Sequence, residues 1–161
     1  MINHKEKIWF MRMALEEADA AYRVDEVPIG CVIVGENGEM LSKTHNLKES
    51  VNDPCGHAEI LAIREASERT KNWRLVNSTL FVTLEPCPMC LGAMIQARIS
   101  NLVFGAYDKK GGAISLGYKI YKDDRLNHNF SVIGGIEHYK CAKVLSRFFK
   151  EKRDYYKKIK K

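Results

Sequence analysis

His57-Ala58-Glu59 and Pro86-Cys87-Pro88-Met89-Cys90 together supply one imidazole, two thiols and a carboxylate. Imidazole and thiolate are zinc donors, and a catalytic zinc site typically takes three protein ligands and keeps its fourth position for water. His57, Cys87 and Cys90 would fill that set for one zinc per chain, and Glu59 is left over as a general acid and base. Either motif alone is a weak signal. Placed at the starts of two neighbouring helices, the pair is specific. A rival set adds Cys55 to His57, Cys87 and Cys90 as a closed structural site, which leaves Glu59 without a purpose.

Secondary structure has to bring these groups together. Ile8, Met11, Leu15, Ala18 and Tyr22 recur at helical spacing and predict a first helix over about Lys5 to Tyr22. Ile29 to Val34 is a short apolar run suited to a buried strand, and Asn37-Gly38 predicts a hairpin that returns Glu39 to His45 antiparallel to it. A helix from about His57 to Thr70 and a strand over Thr79 to Leu84 follow. Pro86 and Pro88 mark the next helix start, where a missing N–H costs least, and that helix runs on through Leu91, Met94 and Ile95. Strands over Leu102 to Ala106 and Phe130 to Ile133 precede a last helix from about Glu137, with Val144, Leu145 and Phe148 facing inward.

A hairpin followed by alternating strands and helices predicts a three-layer α/β/α fold. Its sheet is five-stranded, mixed and mostly parallel, with helices on both faces. His57 and Glu59 then open one helix and Cys87 and Cys90 the next. Cysteines three apart share a helical face, and the partial positive charge of a helix N-terminus favours thiolates. No repeat, low-complexity stretch or linker divides the chain, so residues 1–161 are expected to form one domain.

Hydrophobic residues at 45% and charged residues at 29% exclude a disordered chain. No apolar run approaches a membrane span, so no membrane partner is expected. The polar start, Met1 to Lys7, predicts no signal peptide. An odd count of five cysteines, two in a Cys-x-x-Cys, points to metal binding in a reducing compartment, with cytoplasm expected. The net charge of +6 is unevenly spread: residues 140–161 hold ten Lys/Arg against Glu151 and Asp154, a net +8, which leaves −2 for the rest. A basic C-terminal helix is the electrostatic footprint of a nucleic-acid binder, or else a solvated helix end whose cations suit its dipole.

Further marks are Val27-Pro28-Ile29-Gly30, His45-Asn46 and Val103-Phe104-Gly105-Ala106-Tyr107-Asp108. To these are added Gly112-Ala113 before Ser115-Leu116, Leu126-Asn127-His128 and Leu145-Ser146-Arg147-Phe148-Phe149. With the His-x-Glu and Pro-Cys-x-x-Cys signature of zinc nucleobase deaminases, the chain resembles bacterial tRNA-specific adenosine deaminases of the cytidine-deaminase-like superfamily over nearly its whole length. It departs from their pattern at Cys31, often alanine there, and at Cys55 before the His-x-Glu. Pro88-Met89 with Leu91-Gly92-Ala93 also resembles free guanine deaminases.

The resemblance implies a cytidine-deaminase-like fold, one Zn²⁺ per subunit, a homodimer, and hydrolytic conversion of adenosine to inosine at the wobble position of a tRNA anticodon stem-loop. Glu59 would pass a water proton to the ring nitrogen beside the reacting carbon and then protonate the leaving amino group. Pro28 and Leu84 are candidates for an apolar wall that raises the Glu59 pKa. By the same resemblance Asn46 hydrogen-bonds the base and the Ala58 N–H faces it, while Asp108 and Lys110 lie near the flanking nucleotides. Arg147, Phe149, Lys150 and Arg153 are expected to contact RNA from the last helix. Two alternatives use less of the chain: a free nucleobase deaminase acting on guanine or cytosine leaves the basic tail idle, and a non-catalytic zinc-stabilised RNA-binding module leaves Glu59 idle.

Overall fold

The computed structural model describes residues 2–159, so Lys160 and Lys161, two of the tail cations, lie outside the described residues. α1 spans His4–Arg23. It starts there because Asn3 Oδ1 accepts from the Glu6 N–H at 3.1 Å while Glu6 Oε2 accepts from the Asn3 N–H at 2.7 Å, a reciprocal cap. β1 (Gly30–Val34), β2 (Met40–His45), α2 (Ala58–Thr70), β3 (Thr79–Leu84), α3 (Pro88–Gln96), β4 (Asn101–Ala106), β5 (Ser131–Gly134) and α4 (His138–Ile159) follow. A single 3-10 turn over Ile120–Lys122, which periodicity does not signal, lies between β4 and β5.

The strand order is β2-β1-β3-β4-β5. β1 runs antiparallel to both β2 and β3, whereas β3, β4 and β5 are parallel. The four pairings thus divide evenly, and the expectation of a mostly parallel sheet is corrected. The cause is the crossover through α2. It returns the chain parallel to β2, but β3 takes the free edge of β1, so β1 is sandwiched between two strands that oppose it.

Alternation along the strands sorts the helices onto two faces. Cys31 and Ile33, Leu80 and Val82, and Leu102 and Phe104 pack with Ala58 and Ala62 of α2 and with Leu91 and Met94 of α3. On the opposite face Val32 and Val34, Phe81 and Val103 pack with Phe10, Met11 and Ala14 of α1 and Cys141 of α4. Phe81 and Phe104 are fully buried at the centres of the two layers, and truncating a core phenylalanine to alanine typically costs about 3–5 kcal/mol. At Gly30 a Cβ would lie 1.9 Å from the Ala14 carbonyl oxygen, so glycine alone lets α1 close onto the start of β1. No helix among the described residues is long and apolar enough to cross a membrane.

Candidate active site

Register brings five chain segments to one end of the sheet. Gly30 pairs with His45, Cys31 with Val82 and Leu84 with Ala106, so the start of β1 adjoins the ends of β2, β3 and β4. The turn before β1, Asn46 after β2, the start of α2, the Glu85–Cys87 turn and the loop after Ala106 all open there. This is the carboxyl end of the parallel strands, where open α/β sheets bind ligands.

His57 is the N-cap of α2 in extended conformation, not a member of its first turn, and Cys87 holds the same place before α3. Neither side chain caps its helix with a hydrogen bond, and Cys87 lies three residues before Cys90, across the first turn of α3. Cys87 therefore meets Cys90 at 3.6 Å between sulfurs, and His57 Nδ1 stands 3.7 Å from Cys87 Sγ and 3.6 Å from Cys90 Sγ. A tetrahedral zinc with bonds of about 2.3 Å to sulfur and about 2.0–2.1 Å to nitrogen requires edges of roughly 3.8 Å and 3.6 Å, so the triangle fits the ion. Among the described residues these three form the only group of side chains positioned for a metal, and Cys55 is not part of it. The closed four-ligand alternative is thereby disfavoured.

The electrostatics agree. The neighbouring Cys90 thiol holds Cys87 down to about 4, while the Cys87 sulfur and burial push Cys90 far up. Two sulfurs this close cannot both be anions unless a cation lies between them. His57 is raised, chiefly by its contact with Cys87. Glu59, in the first turn of α2 and 4% exposed, is raised by burial, with the His57 charge opposing. A carboxyl so placed suits a group that must hold a proton as well as accept one.

Pro28 is buried in the turn before β1. Asn46 is 4% exposed, its N–H donates to the Ile29 carbonyl at 3.0 Å, and its buried Oδ1 has no partner in the protein. Ala58 opens α2, so its N–H is one of those a helix start leaves free. Leu84, Asp108 and Phe149 line one cavity of about 250 Å³ between the strand ends and α4. Lys110 is exposed, and its N–H donates to Asp108 Oδ1 at 2.9 Å. Along α4, Lys150 and Arg153 are exposed, Phe149 is half-exposed, and Arg147 stacks 4.3 Å above the Tyr22 ring.

Two features escaped the sequence reading. Tyr22 donates to Glu151 and Lys152 Nζ donates to Asp25 at 2.5 Å, clamping α4 onto the end of α1. Glu85 is buried with every bond it accepts coming from residues 108–115, although an acid just before a Pro-Cys turn was a signal in plain view.

The family model for the cytidine and deoxycytidylate deaminase zinc-binding region matches residues 4–106. The tRNA-specific adenosine deaminase of Streptococcus pyogenes serotype M1 is 44% identical over 150 residues, covering 93% of this chain and 87% of that protein. Its counterpart in Bacillus subtilis strain 168 is 44% identical over 144 residues, covering 89% of both. A structure solved in work on A-to-I editing by tRNA:A34 deaminases superposes with a TM-score of 0.80 at 41% identity, covering 85% of this chain and 99% of that one. A guanine deaminase from Bacillus subtilis superposes with a TM-score of 0.61 at 32% identity, covering 72% and 71%.

Proposed function

The chain belongs to the cytidine and deoxycytidylate deaminase zinc-binding family, and on that premise we infer that it is a zinc-dependent hydrolase converting adenosine to inosine at the wobble position of a tRNA anticodon, with release of ammonia. One juxtaposition carries the inference: a His57-Cys87-Cys90 triangle sized for zinc, with the buried Glu59 carboxyl beside it at the open end of the sheet. We read residues 1–161 as one deaminase domain with a basic C-terminal helix.

His57, Cys87 and Cys90 would hold the zinc, which would supply the Lewis acidity that activates a water at neutral pH. Glu59 accepts the proton of the attacking water and delivers it to the ring nitrogen beside C6 of adenine. Glu59 then takes the remaining water proton from the new C6 hydroxyl and passes it to the amino nitrogen, so that the bond from C6 to that nitrogen breaks, ammonia leaves and the C6 oxygen becomes the carbonyl of inosine. Asn46 supports this reading, because its orphaned Oδ1 offers the nucleoside an acceptor that the protein itself leaves unused. Pro28 and Leu84 would wall the base, and the Ala58 N–H would face it. Asp108 and Lys110 are proposed to meet the flanking nucleotides. A wobble base in a loop is already unstacked or easily splayed, so its extrusion is cheap.

Arg147, Phe149, Lys150 and Arg153 are proposed as RNA contacts, and the +8 charge of residues 140–161 favours tRNA over a free base. A homodimer belongs to the same reading. Ile60, Ile63, Trp73 and Ala93 line an apolar cavity of about 430 Å³ on α2 and α3, the helices that carry the ligands, and a second copy seated there would adjoin the site. Cytoplasm is the proposed compartment, since the ligand cysteines must stay reduced.

The test incubates the zinc-loaded protein with tRNA, free adenine, guanine and cytosine, and measures ammonia and inosine. Inosine in tRNA is the expected product. Turnover of free guanine with none on tRNA would overturn the substrate assignment and leave the zinc chemistry standing.

A further inference from the structure

We propose that Glu85 is a positioning residue whose carboxylate fixes the Asp108 loop against the metal-binding turn and so sets the grip on RNA beside the target base. The proposal rests on the tRNA-deaminase reading above. It begins from the placement of the side chain. Glu85 lies two residues before Cys87, is 3% exposed, and is not among the groups able to hold the metal.

A buried carboxylate is costly unless its oxygens are hydrogen-bonded. Glu85 Oε2 accepts from the Asp108 N–H at 2.9 Å and from the Ser115 hydroxyl at 2.6 Å, while Oε1 accepts from the Ser115 N–H at 2.6 Å. All three donors come from the loop after β4 and none from the core or from the zinc ligands. The carboxylate therefore ties Asp108 and Ser115, in the first part of that loop, to one point.

Gly112 shows how tightly the loop wraps this group. A Cβ there would lie 2.4 Å from the Glu85 carboxyl carbon and 2.6 Å from the Asp108 carbonyl oxygen, so only glycine lets the loop close. The loop is also held by the Ala113 N–H donating to the Pro86 carbonyl at 2.8 Å. Its general course does not depend on Glu85. What Glu85 adds is local: the position of Asp108, which with Leu84 and Phe149 borders the cavity of about 250 Å³ between the strand ends and α4.

The test is Glu85→Gln, which keeps the volume but replaces one accepting oxygen with an amide nitrogen that donates and cannot accept. The Michaelis constant for an anticodon stem-loop should rise about tenfold, while kcat at saturation stays within about twofold and zinc stays near one per chain. In an Asp108→Ala background the same substitution should change the Michaelis constant by less than about twofold, because its route of action is gone. Loss of zinc or of kcat with an unchanged Michaelis constant would assign Glu85 to the metal centre and overturn the proposal. Full additivity with Asp108→Ala would overturn it too, by showing that Glu85 acts elsewhere. An Asp108→Ala variant with an unaltered Michaelis constant would also sink it, and inosine formation by the wild type would then show that the deaminase assignment survives. Should Glu85→Gln fail to fold, Ser115→Ala removes only the hydroxyl donor. It should raise the Michaelis constant by a smaller factor that again vanishes in the Asp108→Ala background, and an unchanged value overturns the proposal.

Discussion

The sulfurs of Cys87 and Cys90 stand 3.6 Å apart, and each lies within 3.7 Å of His57 Nδ1. Cys87 and Cys90 are neighbours because one caps α3 and the other lies a turn inside it. His57 reaches them from the start of α2, across a contact between helices on the same face of the sheet. Glu59 lies on that same first turn of α2, buried and outside the ligand set.

Metal content separates the ligands from their neighbour in sequence. About one zinc per chain is expected, lost in Cys87→Ala or Cys90→Ala and kept in Cys55→Ala. Elemental analysis of the three purified variants measures this, and a Cys55→Ala protein as empty as Cys87→Ala would restore the closed structural site.

Glu59→Gln should keep the metal and the fold. A positioned general acid or base typically contributes about 10²- to 10⁴-fold, and a group used at several steps should cost at least that. Deamination assayed on tRNA at matched zinc content gives the answer, and wild-type turnover would remove Glu59 from the mechanism.

Asn46→Ala separates activity from stability. Its Oδ1 has no partner in the folded protein, so the melting temperature should hold or rise. Losing one partner of a buried hydrogen bond costs about 1–3 kcal/mol, which corresponds to roughly 5- to 150-fold in kcat/KM. Unchanged kcat/KM with a clear drop in melting temperature would make Asn46 a structural residue.

The basic helix is tested with salt. Each neutralised single-strand phosphate contributes roughly −0.7 to the slope of log affinity against log salt, so Lys150→Ala with Arg153→Ala should flatten the slope for tRNA by about 1.4. Adding Arg147→Ala should also lower stability, because Arg147 stacks on Tyr22. A slope that ignores the double substitution would take α4 out of the RNA interface.

Acid should loosen the contact between α1 and α4. Lys140 and Arg12 hold the Glu137 carboxyl below the usual range, with Arg12 Nε donating at 2.8 Å. The depressed folded value means that this contribution is fully present above the unfolded carboxylate pKa of about 4.3 and fades as pH falls through the folded value. Melting curves of wild type and Glu137→Gln should therefore differ at pH 7 and converge below about pH 4, whereas a gap that widened in acid would reverse the sign of the contribution.

Residue type and spacing alone pointed to His57, Cys87 and Cys90, to Glu59 as a spare carboxyl and to the helices and strands that carry them, because caps, turns and hydrophobic periods are local properties, but they left Cys55 open as a fourth ligand. Cys-x-x-Cys ahead of a helix and His-x-Glu ahead of another are legible without a fold. Strand order and register are not local, and they decided the rest. They set β1 antiparallel to β3, brought Asn46 and Asp108 to the same end of the sheet, and left Cys55 out of the metal cluster. They also turned Arg147 onto the Tyr22 ring and gave Glu85 three donors from one loop, contacts between residues far apart in sequence. A periodic pattern says which face of an element is buried, while the partner that buries it is chosen only when the layers pack.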